Sequence, residues 1–281
     1  MPQSVTLPPE AVVRRNVREA LAEDVGDGDV TAALVPVDQY TRAAVISRSA
    51  GVFCGAPWVR EVCAQTDADI GIGWHVRDGA EIGADATLFT LAGRARSLLT
   101  LERTLLNFVQ LLSGTATAAR ACVQAVAGTG TRILDTRKTV PGLRAAQKYA
   151  VAVGGADNHR MGLFDAFLIK ENHILAAGGI RAAILAARAT HPDLPLEVEV
   201  EDLAELEEAL AAGPDVVMLD NFTVEEMAAA VRANDTDARL EASGGLALDD
   251  LAAVARTGVD YMSVGAITKH VTPLDLSMRF E

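Results

Sequence analysis

Two hydrophobic patterns divide the chain near residue 131. Before it, residues 10–22 repeat apolar positions with the period of an amphipathic helix. Short apolar runs broken by glycine, at 42–53 and 70–92, are typical of strands and turns. A long apolar segment from Ser97 to about residue 127 predicts one or two packed helices. The first part of the chain is therefore expected to mix strands and helices, with a helical bridge to the rest.

Beyond residue 131, short apolar runs alternate with helical patterns rich in Ala and Leu. Six runs are interpreted as strands: TRILD, AFLIK, LEVEV, DVVML, RLEAS and YMSV. Alternation of strands and helices predicts an α/β fold with a parallel sheet or barrel. Six clear strands instead of eight favour a barrel that is partly open, or one completed by weaker strands, over a full eight-stranded barrel.

Composition narrows the class of protein. The 281 residues carry a formal net charge of -13, with a sequence pI near 4.8, which argues against a general nucleic-acid binder because such proteins present a basic face. The three cysteines are widely spaced and suit a reduced compartment. The N-terminal residues do not have the pattern of a signal peptide, and no uncharged apolar run reaches the roughly 20 residues that span a bilayer. We therefore expect a cytoplasmic protein without membrane or nucleic-acid partners.

Polar residues follow the predicted strands, where a β/α barrel collects its chemistry. Two of the four lysines of the chain lie at such positions. The positions that follow or close the strands are Thr136, Arg137, Lys138, Lys170, Glu199, Asp220, Ser243, Gly244, Gly245, Val264, Gly265 and Ala266. Taken singly, Asn172, Asn221 and Glu201 are better explained by ordinary solvent contact, but the whole set favours a functional site.

Glutamates on one strand strengthen this interpretation. Glu197, Glu199 and Glu201 alternate with valine, so all three share one face of the strand. A buried carboxylate persists only with a cationic or metal partner, because leaving it unpaired costs several kcal/mol. Lys170 and the cations after TRILD are candidate partners. Carboxylates and cations together suit an anionic substrate that is bridged by a metal.

Two further segments are candidates for anion binding. The turns SGG (243–245) and VGA (264–266) each precede a helical pattern, where backbone N–H groups bind phosphate. The loop GGADNHRMG contains His159 and Arg160, which fit either a functional pair or a solvated pair after a helix. His173, near Lys170, is left open.

The longer motifs resemble quinolinate phosphoribosyltransferase. They are LDTRKTVPGLRAAQKYAVAVGGADNHRMGLFDAFLIKENHI, EVEVE, VMLDNF, LEASGGL and GVDYMSVGAIT, together with EDVGDGDVTAALV, GVFCGAPW and ERTLLNFVQLLSGTAT in the first half. The similarity extends over nearly the whole chain. Val140 is one departure, since the family pattern leads us to expect threonine there.

The resemblance implies a two-domain subunit of the type II phosphoribosyltransferase kind. An N-terminal α/β sandwich is expected over residues 1–112 and an open, incomplete α/β barrel over 113–269, with the tail 270–281 packing back on the first domain. A homodimer is also implied, in which Arg103 reaches the active site of the partner. Without the resemblance, Arg103 would be interpreted as an exposed residue of an amphipathic helix. Assembly beyond the dimer is left open.

The implied reaction transfers phosphoribosyl from phosphoribosyl pyrophosphate (PRPP) to quinolinate, with loss of CO₂, and gives nicotinate mononucleotide for NAD biosynthesis. No organic cofactor is expected; Mg²⁺ accompanies PRPP. The resemblance assigns the quinolinate carboxylates to Arg103, Arg137, His159 and Arg160, and phosphate oxygens to Lys138 and Lys170. Glu199 and Asp220 are assigned to Mg²⁺, directly or through water, or to the ribose hydroxyls. The turns Ser243–Gly245 and 264–266, with Thr136, complete the expected substrate site.

Two other functions remain open at this point. A related phosphoribosyltransferase that uses another pyridine, such as nicotinate, would release no CO₂. A non-catalytic sensor of phosphoribosyl ligands on the same scaffold would bind without turnover. Glu171, Asn172 and Glu201 stay undecided between supporting the site and contacting solvent.

Overall fold

The computed structural model describes residues 5–281. The helices are α1 (Glu10–Val25), α2 (Ala56–Thr66), α3 (Ala95–Ala125), α4 (Arg144–Gly154), α5 (Glu171–Ala177), α6 (Ile180–Thr190), α7 (Leu203–Ala212), α8 (Val224–Ala233), α9 (Leu251–Ala255) and α10 (Ala266–Lys269), with 3₁₀ turns at Ala32–Leu34 and Leu248–Asp250. The strands are β1 (Tyr40–Ser47), β2 (Gly51–Val52), β3 (Gly71–Trp74), β4 (Glu81–Ile82), β5 (Thr87–Arg94), β6 (Arg132–Leu134), β7 (Phe167–Ile169), β8 (Leu196–Val200), β9 (Val216–Asp220), β10 (Arg239–Ser243), β11 (Tyr261–Ser263) and β12 (Leu276–Phe280).

The chain forms two compact units. The first contains the residues up to Arg120, Thr139–Gly155 and Ile267–Glu281, and the second contains Ala121–Lys138 and Ala156–Ala266. The domain boundaries expected from the sequence, at 112/113 and 269/270, stay predictions.

The first unit combines an antiparallel β-sheet with helices. Its four-stranded antiparallel sheet has the order β12-β1-β5-β3, so the last strand of the chain pairs with β1. Trp58, Phe53 and Phe89 are fully buried in its apolar core. Gly114 has no side chain to obstruct the tail, because a Cβ there would lie 2.3 Å from the carbonyl oxygen of Thr272. The glycine thus permits the returning tail to pack closely on α3.

The second unit is the open α/β barrel that the hydrophobic pattern predicts. Its six strands are parallel and follow the order β6-β11-β10-β9-β8-β7. The first two strands of this unit, β6 and β7, thus lie at opposite edges of the sheet, and within residues 5–281 they do not pair with each other to close it. The valines of β8 are fully buried, as are Leu219 and Ala242 on the next strands. The fold class expected from the sequence is confirmed.

Capping residues start helices directly after strands. The Asp202 side chain accepts hydrogen bonds from the backbone N–H groups of Ala204 and Glu205 at the start of α7. Thr223 and Glu226 form a reciprocal capping box at the start of α8. Side-chain caps of this kind satisfy N–H groups that have no partner within the helix. These caps therefore determine the residue at which each helix begins and the turn after the strand ends.

A short segment partly fills the open edge of the sheet beside β6. Asp157 forms an isolated parallel bridge with Leu134, and its backbone bonds to the backbones of Ile133 and Asp135 at 2.8 and 3.1 Å. The Arg132 guanidinium binds the Asp157 carboxylate through two nitrogens, both at 2.7 Å. A bidentate pair of this kind adds geometric specificity. It fastens the chain just before His159.

The long apolar segment is one continuous helix, α3, of 31 residues. Of the two possibilities left by the sequence, one helix or two, the single helix is found. Within residues 5–281, no helix has both the length and the apolar character needed to cross a bilayer.

Candidate active site

A pocket opens at the C-terminal ends of the barrel strands, where the sequence predicts the site. Residues that follow or close β6, β7, β10 and β11 contribute to its wall. The lining consists of Thr136, Arg137, Lys138, His159, Arg160, Leu168, Lys170, Met218, Glu241, Ser243 and Ser263. Four of these side chains are cationic at neutral pH, so the pocket suits an anionic ligand.

The turn after β6 positions Lys138. Its backbone N–H donates to the Thr136 hydroxyl at 3.0 Å, which closes a tight turn. A Cβ at Gly265 would lie 3.1 Å from Cδ of Lys138 and 3.5 Å from the Thr136 hydroxyl. The glycine therefore lets the lysine stem pass close to the turn after β11.

Lys170 begins α5 and points its ammonium at Glu199 on the neighbouring strand β8. The Lys170 Nζ donates to Glu199 Oε2. The lysine side chain is 44% exposed, whereas the Glu199 side chain is 11% exposed. The Lys170 backbone N–H donates to His173 Nδ1 at 3.1 Å, so His173, left open by the sequence, caps the helix start. This cation thus faces the pocket with a carboxylate beside it.

The loop that contains His159 is held by a buried carboxylate. Asp135 is fully buried, and it accepts hydrogen bonds from the His159 backbone N–H and from Asn158 Nδ2, both at 2.8 Å. Hydrogen bonds to a charged acceptor are stronger than neutral ones. His159 is therefore a fixed part of the pocket wall, and the alternative of a solvated pair after a helix does not describe it.

Arg160 and Arg137 bring two positive charges into the same pocket. Burial, and then the nearby charge of Arg137, lowers the pKa of the Arg160 guanidinium below its usual value. Arg160 donates from Nη1 to the Ala166 carbonyl at 3.2 Å, and its buried Nε has no hydrogen-bond partner within the described residues. A bound anion stabilises a buried N–H donor that carries positive charge and lies near a second cation. This pair is well suited to a carboxylate.

Two buried carboxyl groups lie beside His159. The His159 Nε2 is 2.8 Å from Glu197 Oε2 and 3.8 Å from Glu241 Oε2. Burial, and then the negative charge of Glu197, raises the pKa of Glu241 to about 8. Ligand atoms of the three side chains lie within 4.8 Å of one another.

The turn after β9 packs against the turn after β10. The Asn221 backbone has φ of 57° and donates to the Ser243 carbonyl at 3.0 Å, and Asn221 Nδ2 donates to Asp220 Oδ2 at 2.8 Å. Gly244 has φ of +106°, and a Cβ there would lie 2.3 Å from Asn221 Oδ1. Only glycine fits at this position without displacing the neighbouring turn. Asn221 therefore supports the SGG turn instead of simply facing solvent.

The structure brings most of the predicted residues together. Seven lie in the pocket wall: Thr136, Arg137, Lys138, His159, Arg160, Lys170 and Ser243. The other predicted residues of the barrel either contact a lining residue or lie close to one in the sequence. They are Glu199, Asp220, Gly244, Gly245, Val264, Gly265 and Ala266. Arg103 is an exposed residue of α3 in the first unit. Glu201 is exposed beyond β8, outside the pocket lining.

Sequence reasoning missed Glu241, Ser263 and Asp135. Glu241 is 1% exposed and lines the pocket, although its strand was interpreted only as an apolar run. The available signal was a lone carboxylate inside a strand whose neighbours are apolar. Such a residue is expensive to bury and is retained for a reason. Asp135, directly before the basic turn, carried the same signal.

Comparison with known proteins agrees with this geometry. Residues 29–113 match the N-terminal domain of quinolinate phosphoribosyl transferase, and residues 115–279 match its C-terminal domain. The nicotinate-nucleotide pyrophosphorylase [carboxylating] of Mycobacterium leprae is 45% identical over 272 residues, covering 94% of this chain and 96% of that protein. The probable enzyme of the same name from Bacillus subtilis is 40% identical, covering 91% and 89%.

A solved structure extends the agreement to the backbone. The nicotinate-nucleotide pyrophosphorylase of Francisella tularensis superposes with a TM-score of 0.97 at 48% identity, covering 99% of both chains. Both units of the fold and the strand-end pocket are thus found on a chain that matches one family along its length. The resemblance inferred from the sequence motifs is confirmed, and this protein belongs to the quinolinate phosphoribosyltransferase family.

Proposed function

We propose that this protein transfers phosphoribosyl from PRPP to quinolinate and releases pyrophosphate and CO₂, giving nicotinate mononucleotide for NAD biosynthesis. The observation that carries the proposal is the pocket at the strand ends, which four cationic side chains line. The chain that forms this pocket belongs to the quinolinate phosphoribosyltransferase family. We also propose a cytoplasmic location, because Cys54, Cys63 and Cys122 are all free and buried, which suits a reducing compartment. An acidic exterior around a basic pocket selects small anions.

The arginines account for the recognition of quinolinate. Quinolinate is a planar dicarboxylate, and a guanidinium offers a fork that matches a carboxylate. Arg137 and Arg160 lie in the pocket wall, with Nε of Arg160 buried and available. His159 lies between Arg160 and the buried glutamates and forms the third part of this subsite.

PRPP requires a second group of contacts. Lys138 and Lys170 supply ammonium groups for phosphate oxygens, at opposite edges of the sheet. Backbone N–H groups of the turns 243–245 and 264–266 bind the 5′-phosphate, with the Thr136 hydroxyl nearby. Gly244 and Gly265 are the positions where an added Cβ would crowd a neighbour, so these turns leave the backbone accessible.

Glu199 and Asp220 fit the ligand preferences of Mg²⁺. Both offer carboxylate oxygens at the ends of adjacent strands, and both are partly exposed. Mg²⁺ prefers one or two carboxylates together with substrate phosphates and water. When bound with PRPP, the ion neutralises charge on the pyrophosphate. The same carboxylates also suit the ribose hydroxyls, as the sequence expectation allows.

The chemical step needs little covalent help from the protein. Loss of pyrophosphate leaves positive character at the ribose carbon, which the Glu199 and Asp220 carboxylates stabilise. Holding the pyridine nitrogen against that carbon contributes through proximity. After the nitrogen is alkylated, the positive ring nitrogen stabilises the electron pair that stays on the adjacent ring carbon when CO₂ leaves, and a proton from solvent then adds to that carbon to give nicotinate mononucleotide. Decarboxylation then proceeds without an organic cofactor.

The alternatives predict different products. A phosphoribosyltransferase that uses nicotinate would form nicotinate mononucleotide from nicotinate without CO₂, and a sensor would bind PRPP without turnover. Product analysis with quinolinate or nicotinate as the only pyridine distinguishes the three. We expect product from quinolinate alone.

We propose further that the protein acts as a homodimer in which Arg103 completes the site of the partner subunit. Arg103 is exposed on α3, where no described hydrogen bond or ion pair engages it. A long exposed guanidinium is available to a second copy, and C₂ symmetry would place two such residues at two sites. The residue thereby becomes part of the binding site for a quinolinate carboxylate.

Mixing two inactive variants should restore activity if Arg103 acts in the partner's site. Arg103→Ala and Lys170→Ala are each expected to be nearly inactive. After random exchange of subunits, one site of each heterodimer has both residues, so about a quarter of wild-type activity should return. Activity is measured before and after mixing under conditions that exchange subunits.

The Arg103→Ala and Asp220→Ala pair serves as a second combination with the same expectation. A control mixture of Lys170→Ala and Asp220→Ala should stay inactive, because both residues belong to the same barrel. Failure of both Arg103 mixtures, with heterodimers verified by differently tagged chains, would remove Arg103 from the partner's site.

A further inference from the structure

Two buried glutamates approach each other behind the candidate quinolinate subsite. Glu197 comes from β8 and Glu241 from β10, and they are 7% and 1% exposed. The ring of His159 contacts both, at 2.8 and 3.8 Å from Nε2. Two ionised carboxylates at this depth would repel each other and lose their hydration. The arrangement therefore needs a proton or a cation.

The hydrogen bonds around His159 show which ring nitrogen carries a proton. The Arg160 backbone N–H donates to His159 Nδ1 at 2.8 Å, so Nδ1 is an acceptor. In a neutral imidazole the other nitrogen then carries the hydrogen. Nε2–H consequently donates to Glu197 Oε2, so Glu197 is the acceptor of the pair.

Glu241 is left as the group that holds a proton. Within residues 5–281, Oε1 of Glu197 and Oε1 of Glu241 are buried without a hydrogen-bond donor. A proton on Glu241 supplies a donor to the Glu197 carboxylate and removes the second negative charge. The raised pKa of Glu241, caused first by burial and then by the charge of Glu197, agrees with this assignment.

We propose that Glu241 is protonated, donates to the Glu197 carboxylate, and through it fixes the tautomer and orientation of His159 and hence the position of Arg160. Glu197 and Glu241 are positioning residues, because they act on the quinolinate subsite through His159. The proposal rests on the proposed function, since it takes Arg160 as a ligand of quinolinate. It predicts an effect on quinolinate and none on PRPP.

A metal is the main competing explanation of the cluster. The three ligand atoms are close enough to hold an ion. Mg²⁺ is a poor match because it prefers oxygen ligands and retains several waters, and this site is buried and contains an imidazole. Zinc accepts such a ligand set. Metal analysis of the purified protein is therefore part of the test.

The charge around Glu241 determines the expected pH dependence. Glu197, His159 and the Ser263 hydroxyl face it directly. The cations that line the same pocket are Arg137, Lys138, Arg160 and Lys170. Because burial, and then the charge of Glu197, raises the pKa of Glu241 to about 8, we expect Glu241 to keep its proton below that pH and to lose it above. Its ionisation places two negative charges against His159, so quinolinate binding should weaken as the pH rises through this value.

Kinetics of three variants test the proposal. Glu241→Gln keeps a donor for Glu197 but has no proton to lose, whereas Glu241→Leu and Glu197→Leu remove the contact. KM for quinolinate and for PRPP is measured from about pH 6 to about pH 9. For wild type, KM for quinolinate should rise about tenfold above pH 8, and Glu241→Gln should remove most of this rise. Both leucine variants should raise this KM about tenfold at every pH. KM for PRPP should stay unchanged throughout.

A spectroscopic measurement separates this proposal from the proposed function. In ¹⁵N-histidine-labelled protein, the His159 signals are assigned by their loss in His159→Asn. They should show the neutral Nε2–H tautomer near neutral pH in wild type and in Glu241→Gln, even if quinolinate is not the substrate. Glu197→Leu should weaken this tautomer preference, because only the Arg160 backbone N–H then remains to favour it.

Three results would overturn the proposal. They are an unchanged alkaline rise of KM in Glu241→Gln, parallel changes in the KM for PRPP, and about one zinc ion per chain. Thermal melting of the two leucine variants shows whether they fold. If they do not, the KM profile of Glu241→Gln and the NMR spectrum of the wild-type protein are enough to decide the outcome. Inactivity toward quinolinate with the expected tautomer would contradict the proposed function only.

Discussion

Lys170→Ala should leave the protein folded and lower turnover about 100- to 1,000-fold, the range measured when one group that stabilises transition-state charge is removed. The side chain is 44% exposed, so its loss leaves no cavity in the core. The contact that starts α5 uses the Lys170 backbone N–H and is preserved in alanine. The ammonium, in contrast, is lost at the place proposed for a phosphate oxygen, and Glu199 loses its cationic partner.

Steady-state kinetics with quinolinate and PRPP measure this effect, with circular dichroism and thermal melting as tests of folding. Lys269→Ala is a matched control, because Lys269 is an exposed lysine that does not line the pocket. It should retain wild-type turnover. A Lys170→Ala protein with near-wild-type turnover would exclude Lys170 from catalysis.

Arg160→Ala should lower kcat/KM for quinolinate about 100-fold, mainly through KM. Two hydrogen bonds to a charged group, at about 1.5 kcal/mol each, correspond to this change. Arg160→Lys should recover little, because an ammonium has no planar fork for a carboxylate. The expectation follows from the buried Nε, which has no hydrogen-bond partner among residues 5–281, and from the neighbouring charge of Arg137.

The measurement is a quinolinate titration at saturating PRPP, followed by a PRPP titration at saturating quinolinate. Arg256→Ala is the control, because Arg256 is an exposed arginine of the same unit and does not line the pocket. Equal losses toward both substrates would indicate a general structural defect. Full recovery by Arg160→Lys would show that charge alone matters at this position.

The sequence predicts the fold well because its local signals agree with one another. The six apolar runs identified in the sequence correspond to the six parallel strands of the barrel. Asp202 and Thr223 cap the helices that follow two of these strands. The pattern could not decide between one helix and two in the long apolar segment, because α3 has no glycine or proline signal strong enough to settle it. Gly114 lies within that helix, and glycine is needed there because the C-terminal tail packs against this position.

The cationic part of the site was also predictable, since strand ends in parallel sheets meet at one edge. The buried carboxylates were not. Glu197 was recognised only as one of three glutamates on a face, and Glu241 was hidden in an apolar strand. Their contact with His159 joins residues far apart in the chain. Periodicity carries no information on contacts of that range.

The fate of the quinolinate carboxyl group distinguishes the proposed decarboxylating transfer from the two alternative functions. Quinolinate labelled with ¹³C in the 2-carboxyl group is incubated with the protein, PRPP and Mg²⁺, and labelled CO₂ and nicotinate mononucleotide are quantified together. We expect the two to form in equal amounts and neither to form without PRPP. Product formation without CO₂, or bound PRPP without any product, would contradict the account.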